Sequence, residues 1–331
     1  MTTTYTAADL RTAVAAAVRA PSMHNTQPWR FRLRDGAIEL LVDPARRLPV
    51  GDPTGWAARI GCGAALFNLR LALAVAGRPG TVRLRPYPAE PLVVARVVPG
   101  PPRPATATEQ ALFAAVPRRH SNRAPFWPVP VSPRQRWKLV EAARAQDARL
   151  ELLVGAAPVG ALAEIAHSAN RVLASAPGYA AEVLSWTRHA DADADDGVPV
   201  GSGGPATEPQ DLLPGRPFGV KTRAPGRDFE PEPVVAVLGS PRDTAADQIA
   251  AGEALQRVLL TATDAGLAVS MLSQPIEVPG AREQLRLALG GRVGVPQMVL
   301  RVGYGQPGWP TPRRRPDEVV DEVDGEVVDD R

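Results

Sequence analysis

The sequence predicts an α+β fold built from two halves, and three observations carry that expectation. Apolar runs at 31–33 and 38–42 flank Asp35-Gly36, a strong hairpin signal. The stiff run Pro99-Gly-Pro-Pro-Arg-Pro104 reads as a boundary, dividing the chain into 1–100 and 101–331. Finally, Gly63-Ala-Ala-Leu-Phe-Asn-Leu-Arg-Leu-Ala-Leu-Ala-Val-Ala-Gly77 lies over Gly252-Glu-Ala-Leu-Gln-Arg-Val-Leu-Leu-Thr-Ala-Thr-Asp-Ala-Gly266 without a gap. Two helices with a shared apolar face, each ending at glycine, suggest duplication with a pseudo-twofold interface.

The elements follow in order. Thr6-Ala-Ala-Asp9 resembles a capping box and opens a helix whose apolar face includes Leu10, Val14 and Val18. Ala-Pro-Ser breaks it, and the hairpin follows. Thr54 is the expected cap of a second helix with Trp56, Ile60, Ala64, Phe67 and Leu71 on one side, a core face on which Trp56 packs. Strands are expected at 81–85 and 92–98, the second buried on both faces. Beyond the proline boundary come a short helix at 109–116, a helix opening at Ser132-Pro133 and a strand at 150–154. Next is a helix with Leu162, Ile165, Ala169 and Val172 inward. From 191 to 233 the pattern dissolves into Gly, Pro and charges, a length typical of a lid, a binding loop or disorder. A strand at 233–238, the long echo helix, a strand at 267–272, a helix at 281–289 and a strand at 297–302 complete the expectation.

Two polar clusters interrupt this scaffold. Residues 19–31 form a corner where Ser22, Asn25 and Gln27 stand beside small residues and proline. Each amide carries a donor and an acceptor, so together they suit a planar heterocycle with alternating C=O and N–H groups. Taken singly, each of these groups is better explained as capping a helix or holding a turn. The second cluster, Arg118-Arg-His-Ser-Asn-Arg123, places three arginines and a serine beside backbone N–H groups, which suits phosphate as readily as it suits a solvated turn.

Composition narrows the classes. At 331 residues with 44% apolar and 22% charged residues, the chain reads as an ordinary globular protein. Lys138 and Lys221 are its only lysines, so arginine carries nearly all positive charge. The arginines are spread along the chain with no stripe interleaved with aromatics, which argues against nucleic acid despite a pI near 9.4. Cys62 is alone, which excludes an internal disulfide and argues against zinc. With no basic leader and no apolar stretch near ~20 residues, the expectation is a cytoplasmic protein without membrane contact.

Other signals are weaker. Gly303-Tyr-Gly-Gln-Pro-Gly308 matches a dinucleotide fingerprint, but Pro307, Pro310 and Pro312 forbid the helix that must follow. Asp191-Ala-Asp-Ala-Asp-Asp-Gly197 resembles a calcium loop with its glycine one place late and Ser202 where glutamate belongs. His24, His120, His167 and His189 form no metal pair at helical spacing; the first two stand out because they sit inside the polar clusters.

The corner Ala20-Pro-Ser-Met-His-Asn-Thr-Gln-Pro-Trp29, the 118–123 run and the ending Leu300-Arg-Val-Gly-Tyr304…Pro312-Arg-Arg-Arg-Pro-Asp-Glu-Val-Val320 together resemble the FMN-dependent nitroreductase superfamily. Their order, the long middle loop and the length resemble its Acg branch. The resemblance implies two pseudo-twofold-related α/β halves with mostly antiparallel sheets flanked by helices. It also implies a fused pseudo-dimer holding one FMN, because the arginine-serine motif and the amide-rich corner each occur once, in different halves. A monomer is then expected, with a homodimer left open.

The resemblance also implies the roles. Arg119, Ser121 and Arg123 match positions that bind the FMN phosphate and ribityl chain, with backbone from His120 and with Arg314 closing over the phosphate. Pro21, Ser22, Met23, Asn25 and Gln27 would meet the flavin from the other half, and Leu272 and Ser273 would pass over N5. A second basic position of the family falls on Pro312, which shifts weight to Arg313 or Arg315; a glutamate common in the N5 loop is replaced by Ser273. No side chain is assigned a catalytic role and no metal is expected. The implied activity carries hydride from NADH or NADPH to flavin and on to a nitroaromatic, a quinone or a similar acceptor. The alternative is an FMN store, with 191–233 closed over the flavin and no turnover.

Overall fold

A computed structural model describes residues 4–189, 193–204, 211–216, 218 and 234–321. The remainder of the expected lid and the acidic tail lie outside the described residues. The first half runs α1 (Ala7–Ala17), β1 (Trp29–Arg34), β2 (Ala37–Val42), α2 (Trp56–Val75), β3 (Gly80–Leu84) and β4 (Val93–Pro99). Thr6 and Asp9 form the capping box of α1. The β1–β2 turn puts Asp35 and Gly36 both at positive φ, the conformation such turns demand. Thr54 does not cap α2. Gly55, left-handed at φ 73°, precedes the helix, and the Asp52 carboxylate accepts the Ala58 N–H at 2.9 Å instead.

The second half runs α3 (Ala107–Ala115), α4 (Pro133–Arg144), β5 (Arg149–Leu153), α5 (Ala156–Ser175), α6 (Tyr179–Ser185), β6 (Thr187–Arg188), β7 (Val198–Pro199), β8 (Val234–Ser240), α7 (Ala245–Asp264), β9 (Ala268–Leu272), α8 (Gln274–Glu277), α9 (Pro279–Ala288) and β10 (Val295–Gly303). Ser132 caps α4 with Gln135 in a full capping box. On α5 the inward stripe is Leu162, Ala166, Ala169 and Leu173, and Val172 is 50% exposed. The spacing of four, then three, then four keeps the stripe on one face, and Val172 falls just off it.

The α+β expectation holds, and the two main sheets share one topology. One is ordered β1-β2-β4-β3 and the other β5-β8-β10-β9, every neighbouring pair antiparallel. Both are read as strand, strand, long helix, strand, strand in chain order, with α2 and α7 in matching places. In the second, α5, α6 and the β6–β7 pair are inserted between the first two strands. The echo helices cross at their first matched residue. A Cβ on Gly63 would lie 2.0 Å from the Ile249 carbonyl oxygen and 2.8 Å from the Gly252 Cα, and one on Gly252 would lie 2.2 Å from the Ile60 carbonyl oxygen. Each helix meets its counterpart through the same residues, the reciprocity of a twofold contact.

Burial explains why α2 is so apolar. It is long and apolar enough to cross a membrane by composition, yet all but three of its twenty residues are buried within the protein. The halves also exchange material. Trp56, Ala57 and Ile60 belong to the core under the second sheet, whereas Ile249 and Val319 belong to that under the first. Val320 bridges to Phe31, so the C-terminal arm returns to the first half. A cut near residue 100 therefore separates sheets but not cores, and the seam between them is where a site forms.

Candidate functional site

A cavity of about 180 Å³ opens at this seam. Pro21, Ser22 and Met23 come to it from the corner after α1, while Ser121 and Arg123 come from the connection between α3 and α4. Leu272 and Ser273 arrive at the end of β9, and Trp56 and Ile60 from α2 form another wall. Ser121 bridges to Val269, and the Asn122 N–H donates to the Val269 carbonyl at 2.9 Å, so the first residues of β9 hold the arginine-serine run against the strand whose far end, Leu272 and Ser273, lines the cavity. Trp56 does more than pack, since its Nε1–H donates to Gln297 Oε1 at 2.7 Å while its ring faces the cavity.

The corner is backbone under tension. His24, Asn25 and Gln27 have φ of 51°, 55° and 51°, a region that costs non-glycine residues on the order of 1 kcal/mol or more each unless the surroundings impose it. The surroundings do so through the two amides. Asn25 Nδ2 donates to the carbonyls of Gly197 (2.9 Å) and Pro312 (3.0 Å). Gln27 Nε2 donates to the Asp195 carbonyl (2.8 Å), its Oε1 accepts the Arg314 N–H (2.9 Å), and its own N–H donates to Ser22 Oγ (2.9 Å). Both amides thus clamp 195–197 and the C-terminal arm rather than lining the cavity, which corrects the expectation that they read a heterocycle directly. Replacing Asn25 with alanine takes the side-chain donor from the Gly197 carbonyl and one of two donors from the Pro312 carbonyl, which Arg313 Nη1 also serves at 2.8 Å. The expected cost is about 2 kcal/mol, read as a lower midpoint in urea with faster amide exchange confined to the arm and the corner.

Next to the cavity-lining Ser121 in the chain sits a cluster of positive charge with no carboxylate counterion among the described residues. Arg119 is buried and donates to the Arg19 carbonyl at 3.4 Å, and its Nε has no partner among the described residues. Burial and the neighbouring Arg123 push its guanidinium down to about 10. Arg313 Nη1 donates to Thr311 Oγ1 (2.5 Å) and to the Pro312 carbonyl (2.8 Å), but its Nε is buried with no partner among the described residues; burial, Arg119 and Arg19 push the guanidinium down to about 9. His120, partly buried, is lowered by burial and by Arg119, Arg313 and Arg19. Among the described residues no carboxylate pairs with Arg19, Arg119 or Arg313. Guanidiniums this close remain charged at neutral pH, and they are stable together only around an anion. A phosphate dianion fits this donor set.

Arg314 does not join them. It donates to the Glu318 carbonyl at 2.8 Å and lies 3.8 Å from Asp43. Consecutive side chains of an extended arm point to opposite sides, so the position that meets Arg119 is Arg313. Arg123 faces the cavity, donates to the Ser202 carbonyl at 3.2 Å and stacks over Phe218 at 5.2 Å. The Ser273 hydroxyl accepts from Arg216 at 2.9 Å, and Arg216 is in turn paired with Glu277 and the Tyr179 hydroxyl. This buried knot secures residues 211–216 along the cavity wall. Arg216, Phe218 and His24 all line the cavity, and none was assigned a role from sequence. Only His24 carried a signal, its place inside the corner motif. No group of three metal-ligating side chains occurs among the described residues.

No protein-family model matches the chain. Among curated proteins, it is 34% identical over 321 residues to the Mycobacterium tuberculosis protein named "Putative NAD(P)H nitroreductase Rv3131", covering 94% of this chain and 91% of that one. It is 34% identical over 325 residues to "Putative NAD(P)H nitroreductase acg" of the same organism, covering 94% of each. Among solved structures, an FMN and NADPH-dependent nitroreductase, NfnB from sphigopyxis sp. strain HMH, aligns at 20% identity with a TM-score of 0.40, over 64% of this chain and 98% of that one. A nitroreductase with bound FMN from Desulfitobacterium hafniense aligns at 16% identity with the same TM-score, over 63% and 96%.

Proposed function

From the premise that this chain belongs to the family of NAD(P)H nitroreductases that includes acg, we propose that it is an FMN-dependent oxidoreductase passing electrons from NADH or NADPH to a nitroaromatic, a quinone or a similar acceptor. The observation that carries the reading is the clustering of Arg119 and Arg313, each with a buried Nε that has no partner and with no carboxylate paired to either among the described residues. They hold the phosphate, with Arg19 and His120 adding positive potential. Pro21, Ser22 and Met23 bound the ring from one half, and Leu272 and Ser273 from the other. Flavin supplies the hydride chemistry when bound.

The chain's own residues orient and shield. Ile60 and Trp56 make an apolar wall that excludes water, Trp56 being fixed by Gln297. Arg123 lines the cavity with a positive charge that would favour negative charge on a group bound there. One chain contributes both sides of the site, so a monomer suffices.

One observation favours the second reading, an FMN-holding protein without turnover: the Arg216–Glu277–Tyr179 knot fastens 211–216 along the cavity wall. Anaerobic mixing of the yellow protein with NADH and with NADPH separates the two. Bleaching within seconds is the result expected of the enzyme; an unchanged flavin spectrum would assign the protein to storage.

A further inference from the structure

The corner buries one side chain whose polar atoms have no partner among the described residues. His24 is 4% exposed, and both its ring nitrogens are buried without a partner among the described residues. Buried side-chain nitrogens are paired in the large majority of cases, and a neutral imidazole carries exactly one donor and one acceptor to be satisfied. The ring stands on the cavity wall, edge-on to Phe218 with centroids 5.3 Å apart. Its charged neighbours are Arg123 and Arg216; with burial, they hold the imidazole far below its usual protonation range, so it is neutral.

Neither neighbour offers an acceptor for the imidazole N–H, and Phe218 offers only a ring edge. The ring lines the cavity, so the cavity is the open space from which a partner can reach it. Two guanidiniums nearby select a partner rich in oxygen lone pairs, and the apolar wall opposite, Trp56 and Ile60, selects a flat one. The left-handed backbone at His24, held by the Asn25 and Gln27 clamps, fixes the direction in which the ring points.

We propose that His24 is a binding residue for the electron acceptor, its ring N–H donating to an oxygen conjugated with the ring of a quinone or nitroarene seated in the cavity. The inference rests on the flavin-dependent reading above and adds to it the atom that the site recognises on the acceptor.

The test uses the oxidised FMN-loaded protein and 1,4-naphthoquinone, which without a reductant binds and does not turn over. The ¹⁵N resonances of the His24 imidazole, assigned by their loss in His24→Phe, are followed as naphthoquinone is added, and acceptor kinetics are measured for His24→Phe and His24→Gln. The expected results are a saturable shift of one ring nitrogen, a rise of about tenfold in the naphthoquinone KM of His24→Phe, and recovery of most of that loss in His24→Gln, which retains an N–H donor. An imidazole that does not respond to saturating naphthoquinone overturns the inference, as does a His24→Phe protein with unaltered acceptor KM. So does a His24→Phe protein whose flavin absorbance maximum moves while acceptor kinetics stay the same, since the ring would then be serving the flavin. A wild-type protein that stays colourless after FMN is added overturns the flavin reading itself; an unresponsive imidazole in a yellow protein overturns only this one.

Discussion

Arg313→Met should weaken FMN binding by about a hundredfold while making the empty protein harder to melt. The two effects have one cause. Among the described residues Arg313 and Arg119 stand together without a carboxylate counterion, each with a buried Nε that has no acceptor. An unpaired buried charge is a cost that an apolar residue of similar length removes. When the phosphate is present the same charge is worth a charge-assisted hydrogen bond, which the variant forfeits. Inorganic phosphate at tens of millimolar should accordingly raise the melting temperature of the wild-type apoprotein and leave Arg313→Met unmoved. Arg315→Met provides the control, because the Arg315 side chain is 71% exposed and pairs with Asp317 and Glu318; it should alter neither quantity. An Arg313→Met protein with wild-type FMN affinity would remove the phosphate from this cluster.

The largest loss of stability is expected from Gly63→Ala. Glycine inside a helix ordinarily costs roughly 0.5–1 kcal/mol relative to alanine, so the substitution would be a gain anywhere with room. Here the new methyl would sit 2.0 Å from the Ile249 carbonyl oxygen, in backbone that cannot step aside. Prying apart the α2–α7 crossing is an overpacking defect worth at least about 3 kcal/mol. By the pseudo-twofold, Gly252→Ala should lose a similar amount, since its methyl would sit 2.2 Å from the Ile60 carbonyl oxygen. Gly280→Ala in α9, where the added Cβ meets nothing within 4 Å, should be neutral or slightly stabilising. Thermal unfolding of the three variants reads the contrast directly. Equal melting temperatures would mean that the helices do not meet at these glycines.

What could be read from the chain beforehand divides along physical lines. Local chemistry was legible: the Thr6–Asp9 and Ser132–Gln135 capping boxes, the Asp35-Gly36 turn, and the glycine-bounded repeat that became the α2–α7 crossing. Signals that depend on direction were not. Asn25 and Gln27 belong to the corner as expected, but a residue's type does not say which way a left-handed turn will send its side chain, and both amides face the arm. Arg313 and Arg314 are adjacent and identical in sequence; only the path of the arm decides that the first meets Arg119 and the second meets Asp43. Thr54 is a good capping residue displaced by Asp52, whose carboxylate reaches the same helix from two residues earlier. His24 and Phe218 come together from distant points in the chain, across the stretch with no periodicity to read.

The central claim is that one FMN lies across the seam with its phosphate on the Arg119–Arg313 pair. Titrating the apoprotein in parallel with FMN and with riboflavin, followed by quenching of flavin fluorescence, tests it most directly. The account predicts one FMN per chain and riboflavin binding weaker by about a hundredfold. Riboflavin binding as tightly as FMN, or two FMN per chain, would contradict it.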